Sequence, residues 1–483
     1  MEHYNKLDHP VALGIFLLTL FLPVLVGLLT RRKTKNQSDF FVGGRAMNKF
    51  VVALSAVSSG RSSWLVLGVS GIAYFRGVGA VWAVIGYILV EMFQFIYIGK
   101  KLRAQTESLQ SMTILDFFES RLNDKKQIIR SLGALIIAVF MILYVTAQMK
   151  AGSVSLSEAL DIPEIAALFI SGTLLLIYMA LGGYIAVAYN DVIRAVIMII
   201  ALVFFPVVGL IKIGGLPVLL NHLFASDPAL IDPFSLGLGM ITGYLAIGLG
   251  SPGQPHIVVR YMSIDNPEKL RYAAVVGTIW NVVMAWGALF IGLIGRVTPG
   301  IRALTTQKEA ELIYLILASK YFGPILYSVL IGGVFAAILS TADSQLLVLS
   351  STFVRDLYEK ILCKNKPIDE KSKLKLSRLV LIVSGCMAML LACFANNETI
   401  FWLVLFAWGG LGASLGTALI MTLYWKRTTV AGTAAGMLTG TFVSIVWRIF
   451  LKESTGIWEL IPAFFGALFV IFCVSLITAK SKT

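Results

Sequence analysis

Long apolar runs separated by short polar loops dominate the chain. A helix that crosses a bilayer needs about 20 apolar residues. Thirteen runs are read at that scale, near 10–30, 49–75, 79–99, 128–148, 163–182, 187–211, 236–259, 272–295, 324–352, 377–395, 400–424, 429–450 and 457–478. The fifth and sixth are divided only by a short stretch around Gly182, Gly183 and Tyr184. The pattern predicts an all-α polytopic membrane protein forming a single domain over 1–483. A β-barrel is excluded, because its strands are about ten residues long and alternate in polarity.

The loops carry the charge. Arg31, Arg32, Lys33 and Lys35 follow the first run. Lys100, Lys101, Arg103, Arg121, Lys125 and Lys126 follow the third, and Lys360, Lys364, Lys366, Lys371, Lys373 and Lys375 follow the ninth. With thirteen crossings all these loops fall on one side, and the positive-inside rule makes that side the cytoplasm. The expectation is a multi-pass protein of the plasma (inner) membrane, with the N-terminus outside and the C-terminus inside. The first run has the length of a span and an acid before it, so it reads as retained rather than as a cleaved leader.

Composition agrees. Of 483 residues, 58% are hydrophobic and 14% charged, with a mean hydropathy of +0.84. Globular proteins carry roughly 25% charge. A soluble enzyme, a nucleic-acid binder and a disordered chain are excluded as main readings. The net charge of +14 is explained by the basic loops, not by a polyanion partner. Cys363, Cys386, Cys393 and Cys473 show no metal-ligand spacing.

Two runs are not smooth. The second reads VALSAVSSGRSSWLVLG (Val52–Gly68), with small polar residues and an arginine in mid-run. The seventh reads YLAIGLGSPGQPHIVV (Tyr244–Val259), where Gly248, Gly250, Pro252, Gly253 and Pro255 crowd together. Proline removes a backbone donor and clashes with the preceding turn, and glycine tolerates non-helical dihedrals. Unwound backbone at membrane depth is tolerated where it lines a cavity or holds a ligand. A packed proline kink explains one such run. Two of them, five spans apart and opposite in direction, fit inverted repeats with a discontinuous first helix in each half, the plan of secondary transporters.

Several segments then become recognisable: SDFFVGGRAM (Ser38–Met47), SSGRSSW (Ser58–Trp64), LGGYIAVAYND (Leu181–Asp191), GQPHIVVRYM (Gly253–Met262), AAILSTADSQLLVLSS (Ala336–Ser351), RDLY (Arg355–Tyr358) and FAWGGLGASLG (Phe406–Gly416). In order and spacing they span nearly the whole chain. The sequence resembles the sodium/solute symporter family, most closely its sodium/proline branch. The resemblance implies the leucine-transporter fold: a peripheral helix at 10–30, a first repeat at 49–211, a second, inverted repeat at 236–424, and peripheral helices at 429–478. It implies alternating access, with Na+ as coupling ion, a small-molecule solute and no organic cofactor.

Carried over by motif, the main sodium site would use backbone carbonyls of Ser58, Arg61 and Ala337 and the hydroxyls of Ser340 and Thr341. A second sodium site would map to Asp191, Ser340, Asp343 and Ser344. Independently of the resemblance, STADS (Ser340–Ser344) places three hydroxyls and a carboxylate in an apolar run, and a charge inside a bilayer is costly and usually functional. The solute pocket would draw on Ser59, Ser62, Ser63, Trp64, Gln94, Tyr144, Ile247, Ser251, Gln254 and Trp408.

The sequence also departs from the family pattern. Gly60, Arg61, Ser62 and Ser63 stand where the family has Asp-Met-Ser-Gly. Arginine stays protonated in essentially any environment, so Arg61 needs a partner, and Asp343 or Glu91 are the candidates. A guanidinium 4 Å from the ion would repel it by roughly 4 kcal/mol at an effective dielectric of about 20. Three outcomes are open. Arg61 points away and leaves the sodium site intact; it stands in for the ion, making transport Na+-independent or H+-coupled; or it holds a solute carboxylate. Ile247 and Ser251 replace aromatic residues of the proline branch, which argues for a differently shaped pocket and for an amino acid or other carboxylate other than proline.

Two other classes compete. Gly412–Gly416 (GASLG) matches the GxSxG pattern of hydrolases, but an elbow needs a strand-to-helix turn and this match lies in an apolar helical run. No enzyme is expected. A membrane sensor derived from a transporter is the other alternative; the last run ends near the C-terminus, so an output domain in the same chain is not expected. GTAAGMLTG (Gly432–Gly440) offers small residues at helix-packing spacing, expected to face the core.

Overall fold

The computed structural model describes residues 6–30, 37–179, 183–301, 303–364, 368–395 and 399–479. Arg31, Arg32, Lys33 and Lys35, Leu181 and Gly182, Lys366 and the end of the C-terminal tail lie outside the described residues. The described chain is helical apart from its connections, with one isolated backbone bridge between Met47 and Ile264.

Ten described helices are long and apolar enough to cross a membrane. The apolar runs without a full-length helix of their own are the fifth, described over Glu164–Met179, and the two broken ones. The C-terminal half of the second run and the third run follow one another within Trp64–Ser108, but Gly77 turns the chain between them at φ 60°, ψ −143°.

The second run forms Lys49–Gly60, opened by Asn48, whose side chain accepts from the Phe50 and Val51 amides at 2.9 and 3.0 Å. It stops at Arg61 (φ −108°, ψ 41°) and resumes at Trp64–Val69 and Ser70–Arg76. Serines compete with the helix ladder through local hydrogen bonds, and Ser62 Oγ takes the Trp64 amide at 3.2 Å.

The seventh run forms Leu238–Leu245, tightens to a 3₁₀ stretch over Ala246–Gly253, and restarts as Pro255–Ser263. Gln254 between them is extended (φ −92°, ψ 100°). The residue before a proline is pushed out of the helical region, and Pro255 then occupies the first helical position, where no N–H is needed. Both breaks read from the sequence are present.

The ninth run is one continuous helix, Pro324–Ser351, buried along nearly its whole length. The GASLG segment is a wide helical turn inside Ile400–Tyr424, packed on the seventh break. The small-residue segment of the twelfth run packs inward: a Cβ on Gly432 or Gly436 would strike Ser475 or Ile471, and one on Gly440 the Ala413 carbonyl.

Candidate solute and sodium site

The second-run break faces the middle of the ninth helix. Ser340 Oγ lies 3.1 Å from the Ser58 carbonyl oxygen and 3.0 Å from that of Ala337. Thr341 Oγ1 lies 2.9 Å from the Ser59 carbonyl oxygen. All five residues are buried. Carbonyls at the end of an interrupted helix thus meet two hydroxyls on a facing one, an oxygen set of the kind hard cations prefer. The Ser59 carbonyl was not expected from the sequence, and Thr341 reaches it directly.

Arg61 points elsewhere. Its Nη2 lies 3.1 Å from Glu91 Oε2 on the third run, and its guanidinium sits 3.4 Å over the Tyr87 ring. Asn281 of the eighth run donates to the same Glu91 oxygen. Arg61 and Glu91 are each about nine-tenths or more buried. Of the two acids considered as partners, Glu91 takes the role. Asp343 does not: it holds Arg194, which reaches it from the sixth run. The head of Arg61 is therefore turned toward the third and eighth runs rather than the ninth.

The residues expected at the second ion site also gather. Asp191 Oδ2 accepts from Ser55 Oγ at 2.6 Å and from Ser59 Oγ at 3.1 Å. Ser344 Oγ lies 3.2 Å from Ser59 Oγ and 2.9 Å from the Ser340 carbonyl. Two arginines that the sequence reading did not single out intrude here. Arg260 Nη2 lies 3.1 Å from Asp191 Oδ2 and donates to Ser344, and Arg194 Nη1 lies 3.8 Å from Asp191 Oδ1.

The ten expected pocket residues are all buried and form two linked groups. At the seventh break, Ser251 Oγ donates to Gln94 Oε1 at 2.5 Å. Gln254 Nε2 donates to the Gly250 and Trp408 carbonyls at 3.0 and 2.9 Å, and Trp408 Nε1 donates to the Ile247 carbonyl at 2.8 Å. At the second break, Ser63 donates through both its amide and hydroxyl to Gln148 Oε1. Tyr87 joins the groups, its ring centroid 6.0 Å from Trp64 and 5.4 Å from Trp408, and Tyr144 lies 6.5 Å from Trp408. Tyr87, Gln148 and Asn281 were missed, although each is a polar-tipped residue in an apolar run.

Paired helix breaks that expose backbone at mid-run to oxygen and aromatic side chains define a cation-coupled solute carrier rather than an enzyme. Residues 40–440 match the family model described as "Sodium:solute symporter family". The chain is 33% identical over 474 residues to the osmoregulated proline transporter OpuE of Bacillus subtilis, covering 97% of this chain and 95% of that protein. It is 35% identical over 458 residues to the high-affinity proline transporter PutP of Bacillus subtilis, covering 94% and 96%. Among solved structures, a Na+-coupled sialic acid symporter in a substrate-bound outward-open state shares the fold at a TM-score of 0.80 and 17% identity, covering 97% of this chain and 98% of that one. The chain belongs to the sodium:solute symporter family. It is a multi-pass membrane protein that carries a small organic solute together with Na+, and not an enzyme.

Proposed function

We propose that the protein imports a small amino acid with Na+ across the plasma membrane by alternating access. In this reading the chain crosses thirteen times, with the N-terminus outside, and 49–211 and 236–424 act as inverted repeats. Na+ binds among the Ser58, Arg61 and Ala337 carbonyls, joined by that of Ser59, and the Ser340 and Thr341 hydroxyls. The observation that carries the reading is the approach of Ser340 and Thr341 to the broken second run while Arg61 is held away by Glu91.

A carboxylated solute fits the neighbouring polar groups. Arg61 Nη1, Trp64 Nε1 and Gln148 Nε2 are buried N–H donors without a hydrogen-bond partner among the described residues. Buried donors are normally satisfied, and a carboxylate accepts several at once. It also supplies a counter-charge to a Na+ held among uncharged oxygens. Gln254 Oε1, buried and likewise without a partner, offers an acceptor to a solute amine. Proline is the first solute to test, because the relatives named above transport it; Ile247 and Ser251 argue that other small amino acids compete.

The test is uptake of labelled proline by proteoliposomes in Na+ and in choline buffer, with unlabelled amino acids and their amides as competitors. Na+-dependent uptake, competed by carboxylates and not by amides, is expected. Undiminished uptake in choline overturns Na+ coupling, and equal competition by amides overturns the carboxylate assignment.

A further inference from the structure

The second ion site implied by the family does not fit a free cation in this chain. Its four groups, Asp191, Ser340, Asp343 and Ser344, are fully buried. They already face two guanidinium groups. Arg260, from the restarted half of the seventh run, donates through Nη2 to Asp191 and Ser344, through Nε to Ser55 Oγ at 3.1 Å, and through Nη1 to the His256 carbonyl. Arg194 lies between Asp343 and Asp191. Two carboxylates and two guanidiniums sum to zero charge.

We propose that Arg194 and Arg260 fill this slot as tethered cations, so that the protein carries one Na+ per solute.

Arginine does not deprotonate in proteins, so neither group can yield its charge to an arriving ion. A Na+ about 4 Å from one guanidinium meets roughly 4 kcal/mol of repulsion at an effective dielectric of about 20. An added Na+ would raise the summed charge of these two acids and two arginines to +1 in a buried site. The tethered groups also tie helices together. Through Arg260, the helices Lys49–Gly60, Tyr184–Ile199, Pro255–Ser263 and Pro324–Ser351 are pinned together by hydrogen bonds to Ser55, Asp191, His256 and Ser344. Arg260 and Ser344 also line a small cavity of about 30 Å³, shared with Thr113 and Asp356.

This inference rests on the Na+-coupled reading above. Its test uses the full-length protein in proteoliposomes, clamped at zero membrane potential, with the solute gradient adjusted until net flux stops. One ion per solute predicts that a Na+ gradient of about tenfold balances a solute gradient of about tenfold; two ions predict about hundredfold. The first result supports the proposal and the second overturns it while leaving Na+ coupling intact. Flux indifferent to Na+ defeats the coupled reading itself. Arg194→Ser leaves one carboxylate uncompensated and is expected to admit a second ion, raising the Hill coefficient for Na+ from one toward two. Arg194→Ser with Asp343→Asn restores neutrality and is expected to return it to one. A folded, transporting Arg194→Ser protein whose Hill coefficient stays at one overturns the filled slot; if that variant does not fold, the gradient measurement on the unaltered protein decides.

Discussion

Arg61 Nη2 lies 3.1 Å from Glu91 Oε2, and both side chains are at most 2% exposed. The pair lets a guanidinium sit at a helix break inside the membrane. Burial makes such a pair weak as a source of net stability, but removing one partner leaves an uncompensated charge and costs about 3–5 kcal/mol. Glu91→Ala is therefore expected to reduce the folded yield in detergent sharply. Glu91→Leu with Arg61→Met, which removes both charges at similar volume, is expected to recover the yield without recovering uptake. Size-exclusion profiles and uptake together check this. A Glu91→Ala protein that folds normally sinks the assignment of the pair.

The sodium ligands are separable from the solute groups by kinetics. Hydrogen bonds or ligation to a charged species are worth about 1.5–3 kcal/mol each. Thr341→Ala and Ser340→Ala are each expected to raise the Na+ concentration for half-maximal uptake by roughly tenfold to hundredfold. Solute affinity at saturating Na+ is expected to change far less. If either variant leaves Na+ dependence unmoved and weakens only the solute, the oxygen cluster belongs to the solute instead.

Much of this site could be read before any coordinates. Both interruptions follow from local chemistry: Gly60 with its serines, and the Pro252–Pro255 stretch, cannot sustain a ladder of helical hydrogen bonds. The hydroxyls of Ser340 and Thr341 stood out because polar groups in apolar runs need partners. What sequence could not fix was which partner faces which. Arg61 had two candidate acids, and the choice depends on how the third, eighth and ninth helices are rotated about the break. Some signals were available and unused. Tyr87 and Glu91 are four residues apart, as are Arg260 and His256, and Arg194 follows Asp191 by three; such spacings share a helix face. The same rule on buried charge that singled out Asp343 applies equally to Arg194 and Arg260.

The contact between the seventh break and the Gly412–Gly416 turn is backbone on backbone. A Cβ placed on Gly412 would lie 2.4 Å from the Gly250 Cα, and one on Gly250 would lie 2.1 Å from Trp408 Nε1. No flexible side chain can yield at Gly412, so the seventh break and the GASLG turn must part. Overpacking of this kind costs about 1–3 kcal/mol. Gly412→Ala is expected to lower the melting temperature and slow uptake, and Gly412→Ser to do so more strongly. Gly14→Ala is the control, because nothing lies within 4 Å of its added Cβ. Equal melting of the Gly412 and Gly14 variants contradicts the close approach.

Glu311 ties the segment between the eighth and ninth runs to the start of the Ile400–Leu411 helix. Its two carboxyl oxygens accept from the Ile400 and Phe401 amides at 2.9 and 2.8 Å, donors that a helix start leaves free. Burial pushes this carboxyl up from the ordinary 4.5 to about 7, outweighing the two amide bonds that favour its charged form. Because the folded value lies above the unfolded one, the folded state holds the extra proton between them. The contribution is complete below about pH 4.5 and is lost as pH rises through about 7, a change of about 3 kcal/mol. Melting temperature in detergent is expected to fall between roughly pH 5 and pH 8, and Glu311→Gln, which does not titrate, is expected to flatten that slope at some loss of stability. A Glu311→Gln protein with the unaltered slope assigns the pH dependence to another group.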